Sequence, residues 1–500
     1  MKIKFSKCWA VVLFVFITIL LPFYIPNEGY SQIGEDKFLF FLYGMAFFIL
    51  TGIILALFNF RESAFGKNIF SKNVISKSDI FCAGYLVSVL LSFIFSVNKK
   101  TALFGNEEWN MGLITQVCLV FLYFVFSRCK LPIKKCVYAV CIAGIPLALL
   151  AIFNVFGLHP IPIKAPHPLY VSTIGNINWF CGYFIIIVAM EIMIYFYSED
   201  RKAKILWGTA LTISLAALIL QSSASGYAAL FVLLLILLKP ALSDLEKLLT
   251  YVEILLFLFG SCTLIYLTGY FAPGAYVIDD PYIDIIVFSP LGFIFWVICM
   301  ALYIFLRSRM QPLKLQFLYK YIVFSILTIF IGYLTLCIIN TANPKITPIL
   351  NGNGLFTFDR FWWSTRGGTY TVGVQAYLSF PWYRWLIGIG PDCFLSYVYD
   401  NMDAIPMAQY FRTQPLANAH NELLTCLINY GLLGAVSYAG LFITNIKNSL
   451  KSTNPFMKII TFGILGYIIN NFFSFSQILN TPFIFVLVGI AETLRKQEKL

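Results

Sequence analysis

A single histidine at the junction of a polar loop and an apolar helix is the residue best suited to do chemistry in this chain. It lies in the motif Ala419-His420-Asn421-Glu422, and a mostly apolar stretch follows as far as residue 434. The chain has only three histidines, and imidazole is the side chain whose charge changes near neutral pH. We therefore interpret His420 as a candidate proton acceptor.

The polar loop that precedes this motif is rich in arginine. It spans residues 341–418 and holds Arg360, Arg366, Arg384 and Arg412, but only one lysine. A guanidinium group binds phosphate or carboxylate through two parallel hydrogen bonds, whereas a lysine acts as a point charge. The four arginines are therefore candidate ligands for an anionic group of a substrate.

Within this loop, residues 360–380 are predicted to form a helix that lies at the membrane surface. Arg366, Tyr370 and Gly373 would share one side of that helix, and the aromatic residues nearby suit the lipid headgroup layer. Residues 388–391, with the sequence Gly-Ile-Gly-Pro, then predict a turn. The alternative is that arginines and aromatic residues only anchor the loop to headgroups, and composition does not separate the two interpretations.

The elements that position these residues belong to a membrane protein. Of the 500 residues, 60% are apolar and 12% are charged, against about 45–50% and about 25% in soluble domains. Because a spanning helix needs about 20 mostly apolar residues, we predict an all-α polytopic protein with about fourteen spans and one large external loop before the last three. The predicted spans are residues 9–25, 38–59, 79–97, 112–127, 136–156, 177–198, 205–221, 224–238, 251–272, 283–306, 321–340, 422–443, 457–476 and 478–494.

The basic residues indicate the orientation, because lysine and arginine are enriched in cytoplasmic loops. With the N-terminus inside, 26 of the 35 basic residues fall on the cytoplasmic side. Both termini are therefore predicted to be cytoplasmic and the arginine-rich loop external. Contact with anionic lipids accounts for the net charge of +12, so we expect no nucleic-acid partner.

The sequence indicates no metal or cofactor site. The twelve cysteines lack C-x-x-C spacing, and nearly all of them lie in or beside predicted spans. His159 and His167 lie in a proline-rich loop, for which a rigid solvated loop is a better interpretation than a metal site. Glu191 and Glu253 fall within predicted spans, where an ionisable group needs a partner or a function.

Taken together, the motifs of the loop resemble the signature of the O-antigen ligase and polymerase family. The resemblance rests on residues 364–367 (Ser-Thr-Arg-Gly), the turn at 388–391, the His420 motif and residues 431–434 (Gly-Leu-Leu-Gly). In that family an arginine opens an interfacial helix, a G-x-G turn follows, and an H-N-x-x-L segment begins the helix after the large external loop. Residues 175–178 loosely match a G-N-x-N element.

The core of the resemblance covers residues 205–440. We accordingly divide the chain into N-terminal helices (1–204), a ligase- and polymerase-like core (205–440), and C-terminal helices with a short tail (441–500). Two places depart from the family pattern, because residues 221–226 lack the arginine of a Ser-Arg pair and residues 104–112 also lack an arginine. Another arginine of the loop would then have to hold the diphosphate.

The resemblance implies a C-type glycosyltransferase fold at the outer face of a bacterial cytoplasmic membrane. The donor would be a glycan on undecaprenyl diphosphate, and the acceptor a sugar hydroxyl of another glycan or a glycolipid, with membrane lipid as a further partner and no metal or other cofactor. His420 would take the hydroxyl proton and Arg366 would stabilise the departing diphosphate. The expected substrate-binding residues are Arg360, Arg384, Arg412, Tyr370 and Asn421.

Other interpretations stay open at the level of sequence. Asn421 is more simply a helix cap, and Arg366 could pair with Asp359 or anchor to lipid. A non-enzymatic transporter or flippase of lipid-linked sugars would also suit fourteen spans, although two related halves are then expected and no internal repeat is present. A scaffold whose loop only anchors would tolerate His420→Ala. Polymerase and ligase share these motifs, so the sequence does not separate them.

Overall fold

The computed structural model describes most of the chain as helices. The described residues are 2–60, 75–107, 109–167, 170–272, 274–276, 285–287, 289–309, 315–347, 349–350, 355–360, 362–401 and 416–498. Of these described residues, 76% are helical and almost none lie in strands. One short hairpin pairs Tyr170–Val171 antiparallel with Gly175–Asn176. The predicted all-α class is therefore confirmed.

The described helices run along the whole chain. In the first half they are α1 (Lys2–Val15, continued by a π-helical turn Phe16–Leu20 and by Leu21–Phe23), α2 (Ile33–Phe60), α3 (Lys77–Ile94), α4 (Lys99–Phe104), α5 (Leu113–Phe126), α6 (Ile133–Val155), α7 (Ile177–Phe196), α8 (Arg201–Leu220) and α9 (Ala224–Ala241). In the second half they are α10 (Leu245–Phe271), α11 (Leu291–Arg307), α12 (Gln316–Ala342), α13 (Trp362–Leu378), α14 (Trp382–Ile387), α15 (Phe394–Asn401), α16 (Glu422–Lys451), α17 (Pro455–Asn471) and α18 (Thr481–Glu498).

Nine of the described helices are long and apolar enough to cross a membrane, and three shorter apolar helices accompany them. With α17 and α18, these helices coincide with the fourteen segments that hydropathy predicts. On α12 only 6% of the most apolar window is buried inside the protein, an exposure of apolar surface that water would not tolerate. The chain is thus a membrane protein, and the count of fourteen spans stays a prediction.

Helix α7 forms the centre of the bundle. Its whole membrane-spanning window is buried, and it packs against α8, α9 and α17. The contact with α17 is close because Gly466 has no side chain, and a Cβ atom there would lie 3.0 Å from the carbonyl oxygen of Ile185. Small residues at such interfaces let helix backbones approach each other in a membrane.

Ion pairs join several helices at one end of the bundle, which we call the basic end. Asp79 in the first turn of α3 is buried, and its carboxylate oxygens lie 3.2 Å from Arg128 Nη1 and 3.4 Å from Lys496 Nζ. Tyr123 also donates a hydrogen bond to this carboxylate at 3.0 Å. The three partners tie α3 to the end of α5 and the end of α18.

The two glutamates predicted within spans have different surroundings. Glu253 of α10 accepts hydrogen bonds from Lys204 at 3.1 Å, Tyr195 at 2.8 Å and Tyr303 at 3.1 Å. Glu191 of α7 is fully buried, and neither of its carboxyl oxygens has a hydrogen-bond partner in the described part of the chain. Only Glu253 therefore has the internal pairing that an ionised group in a membrane needs.

Candidate active site

The candidate base lies in a tight bend at the start of α16. His420 has a φ of +47°, a left-handed conformation that is uncommon outside glycine. Asn418 stabilises the bend, because its Oδ1 accepts the His420 N–H at 2.9 Å. Asn421 caps α16, since its Oδ1 accepts the Leu424 N–H at 2.9 Å. The His420 ring is directed edge to face against Phe475, with ring centroids 5.2 Å apart.

The electrostatic surroundings keep the His420 ring neutral. Burial, and secondarily the positive charge of Arg366, lower the pKa of His420 from 6.5 to about 3. Burial also lowers the pKa of Arg366 from its usual range, and the neighbouring Tyr370 opposes that effect. Since residues 366 and 420 are far apart in sequence, their interaction is a product of the fold. It places a neutral imidazole beside a guanidinium group.

Helix α13 brings Arg366 to this position and confirms the helix predicted for residues 360–380. Its Gly373 faces α16, where an added Cβ would lie 3.1 Å from Leu424 Cδ2. One turn earlier, Tyr370 Oη donates to the carbonyl oxygen of Phe472 at 3.4 Å. Asn421 Nδ2 donates to the same carbonyl at 3.0 Å. Asn421 was expected to bind substrate, but both the oxygen and the nitrogen of its side-chain amide already form hydrogen bonds within the protein.

The predicted turn at residues 388–391 is present, and it docks on a break in α16. Gly431 has a φ of +68°, which interrupts the helix. The turn donates hydrogen bonds to two carbonyl oxygens just before this break, from Ile389 N to Ile428 at 3.2 Å and from Gly390 N to Asn429 at 3.1 Å. The loop is thereby fixed to the helix that carries His420.

The structure gives less evidence that the other three predicted arginines belong to this site. Arg360 is exposed just before α13. Arg384 is half-buried on α14, with its guanidinium 5.8 Å from the ring centroid of Tyr383. Its Nη1 is buried without a hydrogen-bond partner in the described residues. Arg412 lies outside the described residues. The structure thus brings Arg366, Tyr370, His420 and Asn421 together.

A small cavity next to His420 was not predicted from the sequence. We call it the Trp109 cavity. Its enclosed part measures about 20 Å³, room for one hydroxyl group or water molecule, and it opens outward. Its walls come from four segments that are distant in sequence: residues 109–116, Asp392 after the turn at 388–391, residues 418–430, and the link between α17 and α18. The lining residues are Trp109, Met111, Gln116, Asp392, Asn418, Glu422, Thr425, Cys426, Asn429, Tyr430, Phe475 and Ser476.

Two carboxyl groups hold these walls together. Asp392 Oδ2 accepts the N–H groups of Asn106 at 2.7 Å and Met111 at 3.2 Å. Burial raises the pKa of Asp392, and these two N–H groups oppose the rise. Glu422 accepts hydrogen bonds from both the N–H and the hydroxyl of Ser476. Two features of the sequence could have indicated this site: the polar residues between the last two helices, and the loop that contains Trp109.

The G-N-x-N element at residues 175–178 contacts the segment 221–226, the one that lacks the arginine of the family pattern. Asn176 caps α7 by accepting the Asn178 N–H at 2.8 Å. Ser223, from the segment that lacks the expected arginine, donates to Asn178 Oδ1 at 3.0 Å.

Compared with families of known proteins and with curated protein sequences, the chain gives no match.

Proposed function

We propose that the protein is a glycosyltransferase of the O-antigen ligase and polymerase type. It would move a glycan from undecaprenyl diphosphate to a sugar hydroxyl at the outer face of a bacterial cytoplasmic membrane. The observation that carries the proposal is the half-buried, neutral His420 beside the half-buried Arg366 at the start of α16. A proton acceptor next to an anion ligand is what this reaction needs.

The proposed step conserves atoms and charge. The acceptor hydroxyl oxygen attacks the anomeric carbon of the donor, and His420 takes the hydroxyl proton. The bond between that carbon and the diphosphate oxygen breaks, and the electron pair leaves with undecaprenyl diphosphate. Arg366 stabilises the negative charge that develops on the departing oxygen. Arg360, Arg384 and Arg412 are further candidates for the diphosphate, and Tyr370 stands next to Arg366 on α13.

Arg366 would also adjust the strength of the base. Its charge is the second cause, after burial, that lowers the pKa of His420 to about 3, which leaves the imidazole a weak proton acceptor. A bound diphosphate would offset this charge and so reduce the part of the pKa shift that Arg366 causes, while the larger part, which burial causes, would remain.

The topology belongs to the same proposal. Fourteen spans would leave both termini in the cytoplasm and residues 341–418 outside. Phe475, which contacts the His420 ring, lies just before α18, whereas Lys496, the partner of Asp79, lies near the end of α18, so His420 and Asp79 are at opposite ends of this helix. This arrangement suits a basic end that faces anionic lipid in the cytoplasm and a site that faces the cell exterior.

One observation favours the rival class, a transporter or flippase of lipid-linked sugars. Glu191 of α7 is fully buried, and its carboxyl oxygens have no hydrogen-bond partner among the described residues. Unpaired ionisable groups within a membrane often mark a transport path or a proton relay. The transporter predicts that substitution of Glu191 abolishes function, whereas the enzyme predicts that substitution of His420 does so.

The test is glycan transfer by the purified full-length chain in lipid vesicles that contain an undecaprenyl-diphosphate-linked glycan. We expect transfer by the native chain and a loss of about 10²- to 10⁴-fold in His420→Ala, the usual contribution of a general base. His159→Ala is the matched control, because His159 is exposed in the proline-rich loop, and it should retain full transfer. Product length would separate a polymer from a single ligation.

Two results would overturn the proposal. If His420→Ala folds and transfers glycan at the native rate, His420 is not the base. If the native chain transfers nothing yet moves the lipid-linked glycan across the bilayer, and Glu191→Gln stops that movement, the protein is a transporter.

A further inference from the structure

We propose that the Trp109 cavity binds one hydroxyl-bearing edge of a neutral sugar residue, and that it thereby selects the sugar on which the protein acts. This inference rests on the proposed glycan transfer and deepens it. Arg366 would hold the charged diphosphate, whereas the cavity would hold an uncharged part of a glycan. The polar atoms of the cavity, the fixation of its walls and its charge support this assignment.

The first argument is a set of polar atoms without partners. Trp109 Nε1, Thr425 Oγ1 and Asn429 Oδ1 are buried, and none has a hydrogen-bond partner in the part of the chain that the structure describes. Asn429 is only 2% exposed. All three residues line the cavity. An unmet buried donor or acceptor costs about 1–3 kcal/mol, so such groups together indicate a ligand with its own donors and acceptors.

The second argument is that the walls are fixed before any ligand arrives. Asp392 holds the loop of Asn106 and Met111 through its backbone N–H groups, and Glu422 holds Ser476. Phe475 packs against Trp109 with ring centroids 5.5 Å apart. Because the structural contacts involve the carboxyl groups, the three unpartnered atoms stay available to a ligand. A preformed site loses less entropy when it binds.

The third argument is the sign of the charge. The lining, as far as the structure describes it, has two carboxyl groups and no lysine or arginine. The lining therefore offers no positive charge to a phosphate or a carboxylate of a ligand. Carboxyl, amide and hydroxyl groups beside the indole of Trp109 and the ring of Phe475 instead suit a ring with hydroxyl groups on its edge and an apolar face. This chemistry describes a neutral sugar.

The backbone near the cavity supports a functional origin. Asn110, Asp392 and His420 have φ values of +49°, +56° and +47°, a region that side chains other than glycine adopt at a cost. Each lies in a segment that forms the cavity wall or adjoins it. Strained backbone of this kind concentrates at functional sites.

The consequence is selectivity for a particular hydroxyl group. A site built to hydrogen-bond a hydroxyl rejects an analogue that lacks it, because its own buried groups are then left unpaired. Thr425 and Asn429 lie one helical turn apart on α16, so they can contact the same edge of a sugar. They would act as specificity residues, while His420 and Arg366 carry the reaction.

The experiment measures binding, so its outcome does not depend on transfer. The full-length chain in lipid nanodiscs is titrated with methyl glycosides of glucose, galactose, mannose and N-acetylglucosamine, and with glucose 6-phosphate as an anionic probe. The signal is the change in tryptophan fluorescence that native protein shows and Trp109→Phe does not. We expect a change with at least one neutral glycoside, and weaker binding of the anionic probe.

Substitutions in the cavity sharpen the test. Thr425→Val should weaken the binding of that glycoside by about 3- to 10-fold, the effect of one net hydrogen bond, and Asn429→Leu should act in the same direction. Thr461→Val is the matched control, because Thr461 Oγ1 is also buried without a partner among the described residues but does not line the cavity. Thr425→Val keeps the shape of the side chain, so it serves if Asn429→Leu fails to fold.

The inference is wrong if no neutral glycoside gives a Trp109-dependent change, if the anionic probe binds more tightly, or if Thr425→Val and Thr461→Val behave alike. Glycoside binding by a chain that transfers nothing would contradict the proposed reaction and leave the sugar site standing. Transfer without glycoside binding would support the proposed reaction and contradict the sugar site.

Discussion

The two ends of the bundle handle buried carboxyl groups in different ways. At the basic end, Asp79 is met by Arg128 and Lys496. At the end where α16 begins, Asp392 and Glu422 are met by neutral N–H and hydroxyl groups. Helices α3, α5 and α18 reach both ends of the bundle. The two ends therefore differ because of the residues at and next to the helix termini. The basic end uses charge to hold helices together.

This contrast has a consequence for the site. Where Asp392 and Glu422 are satisfied by backbone and hydroxyl donors, they draw no arginine or lysine to themselves. The positive charge of Arg366 then acts on His420, and in the proposed reaction it acts on the diphosphate. The basic end is thus expected to determine stability, and the opposite end activity.

The largest expected effect is on activity at the His420 end. Arg366→Gln should lower glycan transfer by about 10²- to 10³-fold, because one stabilising donor for the departing diphosphate is lost. Arg309→Gln is the matched control, because Arg309 follows α11 and lies over the ring of Phe305, and it should transfer normally. Rates are compared per folded protein, and equal rates for both variants would remove the contrast.

The next effect is on stability at the basic end. Asp79→Ala should lower the free energy of unfolding by about 3 kcal/mol, because Arg128 loses its carboxylate partner beside a buried site and Lys496 keeps only its pair with Glu492 among the described residues. Transfer by the fraction that folds should be unchanged. Thermal unfolding in detergent, together with transfer assays, checks both expectations. A variant with native stability and impaired transfer would show that the two ends do not divide the roles in this way.

A smaller effect is expected in the pH dependence of stability. The pKa of His420 is about 3 in the folded protein and about 6.5 in an unfolded chain. Between these values the unfolded chain binds a proton that the native state does not. The free energy of unfolding should therefore fall as the pH drops from about 6.5 towards 3, and stay level above 6.5.

His420→Gln should flatten this dependence, and Arg366→Gln should reduce it, because the pKa of His420 would then rise. His159→Gln should leave it unchanged. Unfolding midpoints at neutral and mildly acidic pH check these expectations, and identical curves for native protein and His420→Gln would contradict them.

The smallest effect is expected at an exposed ion pair. Lys247 lies 2.7 Å from Asp244, with side chains 48% and 45% exposed. Lys247→Ala should change the free energy of unfolding by no more than about 0.5 kcal/mol, because exposed pairs gain little over water. Chemical unfolding beside Asp79→Ala provides the comparison. A loss as large as that of Asp79→Ala would show that exposure does not decide the strength of these pairs.

Much of the local structure could be predicted from the sequence. The fourteen apolar segments coincide with helices because hydropathy and helix length are local properties. The helix that carries Arg366 and Tyr370, the turn at residues 388–391, and the cap at Asn421 also follow from short-range patterns. The break in α16 at Gly431 was not predicted, because a glycine within an apolar run does not reveal which carbonyl groups another segment will use.

By itself the sequence determined that the chain is helical and apolar enough to cross a membrane, that several arginines lie in its longest polar loop, and that a histidine follows this loop. The tertiary structure alone decided that Arg366 acts on His420, that Phe475 packs against the His420 ring, and that Trp109 and Asn429 share a cavity. The physical reason is that burial and charge depend on neighbours in space. The four segments around the Trp109 cavity are far apart in sequence, and only packing of the helices brings them together.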